Sequence, residues 1–339
     1  MPMHIASSID PDSWDDFTKT NPNSNIFHTR AFADIFQDCS KYTPYTFFLE
    51  EDGRPLAAII SIQSKLLGTP FVSYASRAVV YGGILCSDKM NDKYWHKHLG
   101  KLIHSYDTSL EKETLFTEIR NINESTHCIL PFAKEKYKFI PHLNYILDLT
   151  LGEQTLWENL SQGLRKSLRK AQEGTIEVIE LTTGDHIEAL HSLVSTTYSK
   201  VHIPCFDLEI FKKAWNLLSP AGYIRVTLAK DHERLLAARA ALIYNGRVFD
   251  WFAGSSEQGD AKSANALLAW DMIRWGCQNG AKCFDFGGAG DPNKHYGVRE
   301  FKMRFGGQLV NYGRFMRIYS TARYMTGSLG YKILRRFLY

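Results

Sequence analysis

The chain has 339 residues, 44% of them hydrophobic and 22% charged, with a formal net charge of +4. That balance belongs to a folded globular protein and excludes a disordered, collagen-like or disulfide-stapled chain; the length predicts two domains. No apolar run approaches the ~18 residues of a membrane-spanning helix, the first residues lack the basic-then-apolar pattern of an export signal, and the six cysteines form no C-x-x-C pair, so we read a cytoplasmic chain with reduced thiols.

In chain order, Tyr45 to Lys65 reads as strand, turn at Glu51-Asp52-Gly53, and strand: a β-hairpin. The stretch FVSYASRAVVYGGIL reads as a further strand. A helix follows over YWHKHLGKLIHSYDTSLE, with Leu99, Leu102, Ile103 and Tyr106 at helical spacing, and TLFTEIRN reads as the closing strand. LDLTLGE, near Leu147 to Glu153, marks a boundary. Next come predicted helices over Gln154 to Glu173, Asp185 to Lys200 and Asp207 to Leu218.

From Tyr223 to Ser255 the first pattern returns: strand, polar turn, strand, then a second hairpin turning at Asn245-Gly246. The helix ANALLAWDMIRWGCQNG follows, with Gly280 placed to end it, and KCFDFGG is its closing strand. Two stretches with the same order of hairpin, strand, helix and strand predict an α/β protein of two related domains, each a mixed sheet flanked by helices. The domains are predicted at 1–150 and 151–320, with a basic amphipathic tail at 321–339. The strands on either side of each helix are expected to be neighbours joined by a right-handed crossover.

Charge is unevenly spread. Residues 301–339 hold eight basic side chains (Lys302, Arg304, Arg314, Arg317, Arg323, Lys332, Arg335 and Arg336) and no Asp or Glu. A second cluster is Arg165, Lys166, Arg169 and Lys170. Such fields suit a polyanion: phosphates, a nucleotide, RNA or an anionic membrane face.

Three segments resemble the FemAB family, the aminoacyl-tRNA-dependent peptidyl bridge transferases, together with the BioF2-like acetyltransferase-type proteins. They are WENLSQGLRKSLRKAQEGTIEV (157–178), NALLAWDMIRWGCQNGAKCFDFGG (265–288) and YGVREFKMRFGGQLVNY (296–312). The resemblance covers roughly residues 25–320. It implies two tandem GNAT-like (acyl-CoA N-acyltransferase-like) domains and the transfer of an activated acyl group to an amine. The strand FVSYASRAVVYGGIL stands where bridge-forming members have Y-x-P-R-G-P, but Ser76-Arg77-Ala78 departs from that pattern. The second domain also lacks the long charged helical hairpin of some peptidoglycan-bridge members.

Amide formation from an activated ester asks the protein for placement of two reactants and stabilisation of an oxyanion, and for no nucleophile of its own. No G-x-S-x-G, P-loop or H-E-x-x-H motif occurs, and no metal or bound cofactor is expected. An acetyl-CoA enzyme of this type carries [RQ]-x-x-G-x-[GA] where its helix begins, so that backbone amides hold the pyrophosphate. Here SSEQGDAKSANALL sets Gly259 directly after Gln258, and the spacing fails.

The resemblance places Phe301 and Lys302, as catalytic residues, at the acceptor site, where the lysine would contact phosphate or the developing negative charge. Strand alternation would turn Lys302 away from Phe301, Met303 and Phe305, towards a ligand. Asp285, between Phe284 and Phe286, would orient an acceptor amine or pair with a basic neighbour. The glycine-rich run Gly287 to Gly297 offers Lys294, His295 and Tyr296 as acceptor contacts. Arg165 and Arg169, four apart on a helix, would hold a diphosphate or the tRNA backbone, and Tyr74 and Arg77 would meet the acceptor from the first domain. The function that the resemblance implies for these residues is N-acyl or aminoacyl transfer to an amine of a phosphate-bearing small-molecule or lipid-linked acceptor in cell-envelope or polysaccharide assembly. Acyl-CoA as the donor, and a non-catalytic polyanion-binding protein, stay open as alternatives. The basic tail adds an expected peripheral contact with the inner face of a membrane.

Overall fold

The computed structural model describes residues 3–66, 71–87, 93–125, 128–201 and 204–338, the side chains of 93, 94 and 331–338 excepted. The chain forms two compact units. One comprises residues 1–141 and 312–339, the other residues 142–311.

The first unit opens with strands β1 (His4–Ala6), β2 (Tyr42–Glu51), β3 (Arg54–Lys65), β4 (Ser76–Gly82), β5 (Leu85–Cys86), β6 (Phe116–Asn121) and β7 (Lys138–Ile140). The second holds β8 (Leu143–Asp148), β9 (Ile176–Glu180), β10 (Ile224–Asp231), β11 (Arg234–Tyr244), β12 (Arg247–Ser255), β13 (Cys283–Gly290) and β14 (Gln308–Val310); β15 (Arg314–Ile318) returns to the first. The sheet orders are β1-β2-β3-β4-β6-β15-β7, with β5 on β3, and β14-β8-β13-β12-β11-β10-β9.

Both expected hairpins are present. Their tips, Asp52-Gly53 and Asn245-Gly246, all have positive φ, the backbone that the twist of a two-residue hairpin requires. In the first unit the helix Lys93–Leu110 buries Leu99, Leu102, Ile103 and Tyr106 against Phe47, Ile59, Val80 and Ile119 of the sheet. In the second the helix Ala264–Gln278 buries Leu267, Trp270, Met272 and Ile273 in a core shared with Leu164, Leu168, Phe284 and Phe305. It links β12 to β13, which run parallel, as a crossover helix should.

Several expectations change. The division expected at 150 falls at 141, because β8 pairs with β13 and β14 and buries Tyr145 and Leu147 in the second core. Residues 312–320, assigned by sequence to the second domain, cross back to the first. There β15 lies between β6 and β7, Phe315 stacks on Phe132 at 4.4 Å, and Arg314 and Arg317 pair with Glu118 (2.6 Å) and Asp107 (2.5 Å). Burial raises the Glu118 carboxyl, but Arg120 and Arg314 outweigh it and hold the group at about 2. The C-terminal basic field is therefore divided: two of its arginines are ion-paired beside a strand. The tail begins as the helix Thr321–Leu338, part of the first unit; the side chains of Lys332, Arg335 and Arg336 lie outside the described residues. The helix expected over 154–173 is two helices, Gly152–Asn159 and Gln162–Gln172. Between them Leu160 is extended, Ser161 caps the second helix through Leu164 N, and the Ser161 amide donates to the Arg304 carbonyl (2.9 Å).

Candidate active site

The two parallel strand pairs differ. In the first unit β4 and β6 stay in register over six residue pairs, from Arg77↔Phe116 to Gly82↔Asn121. In the second, β12 and β13 pair only from Arg247↔Cys283 to Phe249↔Asp285. Beyond that point β12 continues to Ser255 and β13 to Gly290, each bonded to its outer neighbour. A wedge opens between them, bordered by strand edges without a ladder partner. Preorganised donors at such a parting stabilise charge without reorganisation.

Local irregularities cause the parting. On β12 the register with β11 steps from Ala240↔Phe252 to Ala241↔Asp250, leaving Trp251 as an extra residue, a bulge that bends the strand. On β13 the pairing with β8 is interrupted between Asp285 and Gly288. Gly287 has φ +69°, and a Cβ there would lie 3.3 Å from the Phe249 ring, so both backbone and space favour glycine.

Lys302 sits at this interruption. It lies on the helix Gly297–Met303, not on a strand as the alternation had implied. Phe301 and Phe305 are four apart and their rings meet at 5.4 Å, so the apolar pattern is that of a helical turn. Lys302 is buried. Its Nζ donates to the carbonyls of Phe286 (2.6 Å) and Gly288 (2.7 Å). The third proton of the ammonium has no partner among the described residues. Burial pushes the Lys302 ammonium down to about 8, while Asp250 and Asp285 draw it upward and Arg239 opposes them. Arg299, three residues earlier on the same helix, donates to the Ala289 (2.7 Å) and Asp291 carbonyls. The two cations thus fasten one helix face to the end of β13.

Arg239, on β11, is 1% exposed. It donates to both carboxylate oxygens of Asp250 (2.6 Å each) and to Oδ1 of Asn265 (2.6 Å), at the start of the helix Ala264–Gln278. This bolt ties β11, the β12 bulge and the helix together. Its signal in the sequence was a lone arginine inside the run AARAALIY, which we read only as a strand.

The other candidate residues are dispersed. Asp285 is fully buried, paired with Arg247 (2.6 Å) and accepting from Gly287 N (2.8 Å); burial raises its carboxyl and Arg247 lowers it, with a net rise. It meets a basic neighbour, the second of the two roles foreseen. Phe301 packs on the second core. The loop expected from Gly287 is shorter, since β13 runs to Gly290; Lys294 and His295 are exposed and pair with Asp291 (3.4 Å) and Glu300 (2.7 Å). The Tyr296 ring lies over Gly290. Arg165 donates to the Glu158 carbonyl, and Arg169 stands 5.8 Å from the Trp157 ring. In the first unit Tyr74 is exposed in a 3-10 turn and Arg77 half-buried on β4.

The segment where a pyrophosphate loop would stand is the short helix Glu257–Ala261. Its Ser256 cap accepts from Gly259 N (3.1 Å). A Cβ on Gly259 would fall 2.0 Å from the Leu236 carbonyl oxygen. The glycine therefore serves close packing on β11, and Glu257 and Asp260 place negative charge in the first turn.

Residues 158–303 match the family described as Acetyltransferase (GNAT) domain. The match falls within the second unit. No curated protein matches the chain. Among solved structures, FemX is similar at a TM-score of 0.70 and 14% identity, covering 99% of this chain and 100% of that one. A tandem GNAT protein from the clavulanic acid biosynthesis pathway gives 0.61 and 8%, covering 94% and 99%. L-PGS from Bacillus licheniformis gives 0.59 and 14%, covering 98% and 99%. These likenesses are of fold, and they extend it over both units: the chain carries two GNAT-like units in tandem, FemAB-like in architecture. Among the described residues no helix is long and apolar enough to cross a membrane.

Proposed function

We propose that the chain passes an aminoacyl group from a charged tRNA to an amine on a phosphate-bearing acceptor, in cell-envelope or polysaccharide assembly. The observation that carries this reading is the buried Lys302 ammonium, with one proton uncommitted, at the wedge between β12 and β13. The neutral acceptor amine attacks the ester carbonyl and a C–N bond forms. Lys302 and the free strand edge stabilise the resulting oxyanion. Collapse breaks the C–O bond to the ribose, and the proton lost by the amine goes to the leaving oxygen. The donor is activated before it arrives, so placement and fixed charge suffice.

A tRNA carrier is favoured over CoA by the segment 257–261, whose capped helix, packed glycine and two acids leave no cradle for a pyrophosphate. The resemblance to the aminoacyl-tRNA-dependent family points the same way. In this reading Arg165 and Arg169 face the tRNA backbone, and Lys294, His295 and Tyr296 grip the acceptor. The test is transfer of a labelled amino acid from a panel of charged tRNAs, or of acetyl from acetyl-CoA, to amine-bearing UDP-sugars. Amide formation from at least one charged tRNA supports the reading. Turnover with acetyl-CoA alone, or tight tRNA binding without turnover, overturns it.

A further inference from the structure

The helix Thr321–Leu338 carries an apolar face outward. Gly327 presses on the first unit: a Cβ there would lie 2.2 Å from the Tyr74 carbonyl oxygen. Tyr324 packs edge-on against Phe116 at 5.9 Å, and Arg323 donates to the Lys112 (2.9 Å) and Glu111 (2.7 Å) carbonyls. Met325 and Leu329, one turn apart on the side away from Tyr74, are 67% and 62% exposed. The sequence repeats an apolar residue at the same spacing with Ile333 and Phe337, in a stretch that also holds Lys332, Arg335 and Arg336. Beside the helix, the segment around Tyr74 exposes Leu66 (61%) and Phe71 (60%); the Leu66 amide bonds the Ala75 carbonyl and the Tyr74 amide the Phe71 carbonyl, so the two belong to one patch.

We propose that this face of the first unit docks on an anionic lipid bilayer. The helix has four basic residues and no acidic one, the charge pattern that complements a negative surface. Each Lys or Arg at such a surface multiplies the partition constant by about fivefold. The outward aliphatic stripe gives the helix the two-faced character of an interfacial element. RNA would use the cations but gain nothing from Met325, Leu329 and Leu66, so the bilayer fits the whole patch better. Docking here is separate from the chemistry at Lys302, which belongs to the other unit.

Removing the whole segment would be a poor test, since β15 lies inside the first sheet. Point variants of the full chain are cleaner. The full chain is expected to sediment with vesicles of phosphatidylcholine containing 30% phosphatidylglycerol at low salt, and not with phosphatidylcholine alone. Met325→Glu/Leu329→Glu, at exposed positions, is expected to weaken binding at least tenfold, and Lys332→Ser/Arg335→Ser/Arg336→Ser by a larger factor that 0.5 M salt abolishes. If the first variant fails to fold, the second decides. The proposal is overturned if the full chain stays in the supernatant, if both variants bind as the parent does, if the patch binds poly-uridine but not vesicles, or if light scattering shows a dimer that Met325→Glu/Leu329→Glu dissociates while vesicles are ignored.

Discussion

Replacing Lys302 by Met separates stability from turnover. Two effects of opposite sign act on the fold. Met leaves the carbonyls of Phe286 and Gly288 without their donor, at about 1–3 kcal/mol each. It also removes a buried charge whose descent from 10.5 to about 8 corresponds to about 3 kcal/mol of unfavourable burial at neutral pH. The two nearly cancel, so the variant is expected to melt within a few degrees of the parent. The rate has no such offset. Loss of one preorganised donor to an oxyanion costs about 2.7–4 kcal/mol, roughly 100- to 1,000-fold in kcat. Arg in place of Lys is expected to recover little, because its planar fork does not reproduce a compact ammonium held by two carbonyls. Steady-state kinetics alongside thermal melts check both halves. A normally folded Lys302→Met protein with near-parental kcat/KM would refute the assignment and leave the chemistry without its cation.

The same ammonium predicts a pH dependence. Activity is expected to fall as pH rises through about 8, where Lys302 loses its proton. The Lys302→Arg protein, slow as it is, lacks that descending limb. For stability the sign is the reverse. The folded state binds fewer protons than the unfolded one between about 8 and 10.5, so the parent gains stability relative to Lys302→Met as pH rises through that window; melts at pH 7 and pH 10 measure it. Arg239→Met strands the Asp250 carboxylate in a nearly buried position and is expected to cost about 3–5 kcal/mol, read from the denaturant midpoint; an unchanged midpoint would show that the bolt between β11, the β12 bulge and Asn265 is idle. Gly259→Ala puts a methyl group 2.0 Å from the Leu236 oxygen and is expected to cost about 1–3 kcal/mol; a neutral melt would mean that the short helix yields without loss.

The repeated elements were legible because their signals are local. Asp52-Gly53 and Asn245-Gly246 announce hairpin tips, and Leu99, Leu102, Ile103 and Tyr106 trace one helix face. What escaped depends on pairing between distant residues. Nothing in Arg314–Ile318 says that it pairs with Phe116–Asn121, about two hundred residues earlier, and nothing in Leu143–Asp148 says which unit it joins. Lys302 was singled out through its motif but placed on the wrong element, since the run from Phe301 to Phe305 fits both an alternating strand and one helical turn. Arg239, Asp250 and Arg299 were missed because their roles rest on contacts to a bulge, a helix start and a carbonyl row, which leave no spacing in the sequence. The failed CoA motif was readable as a spacing, but why it fails is visible only where Gly259 meets β11.

The central claim is that the reacting carbonyl sits in the wedge of the second unit, beside Lys302. A crystal structure with a stable aminoacyl-adenosine analogue, amide-linked in place of the ester, tests it most directly. The account expects the analogue between β12 and β13, beyond Phe249 and Asp285, with its carbonyl oxygen within about 3.2 Å of Lys302 Nζ. An analogue bound instead in the first unit, with Lys302 still committed only to Phe286 and Gly288, would contradict it.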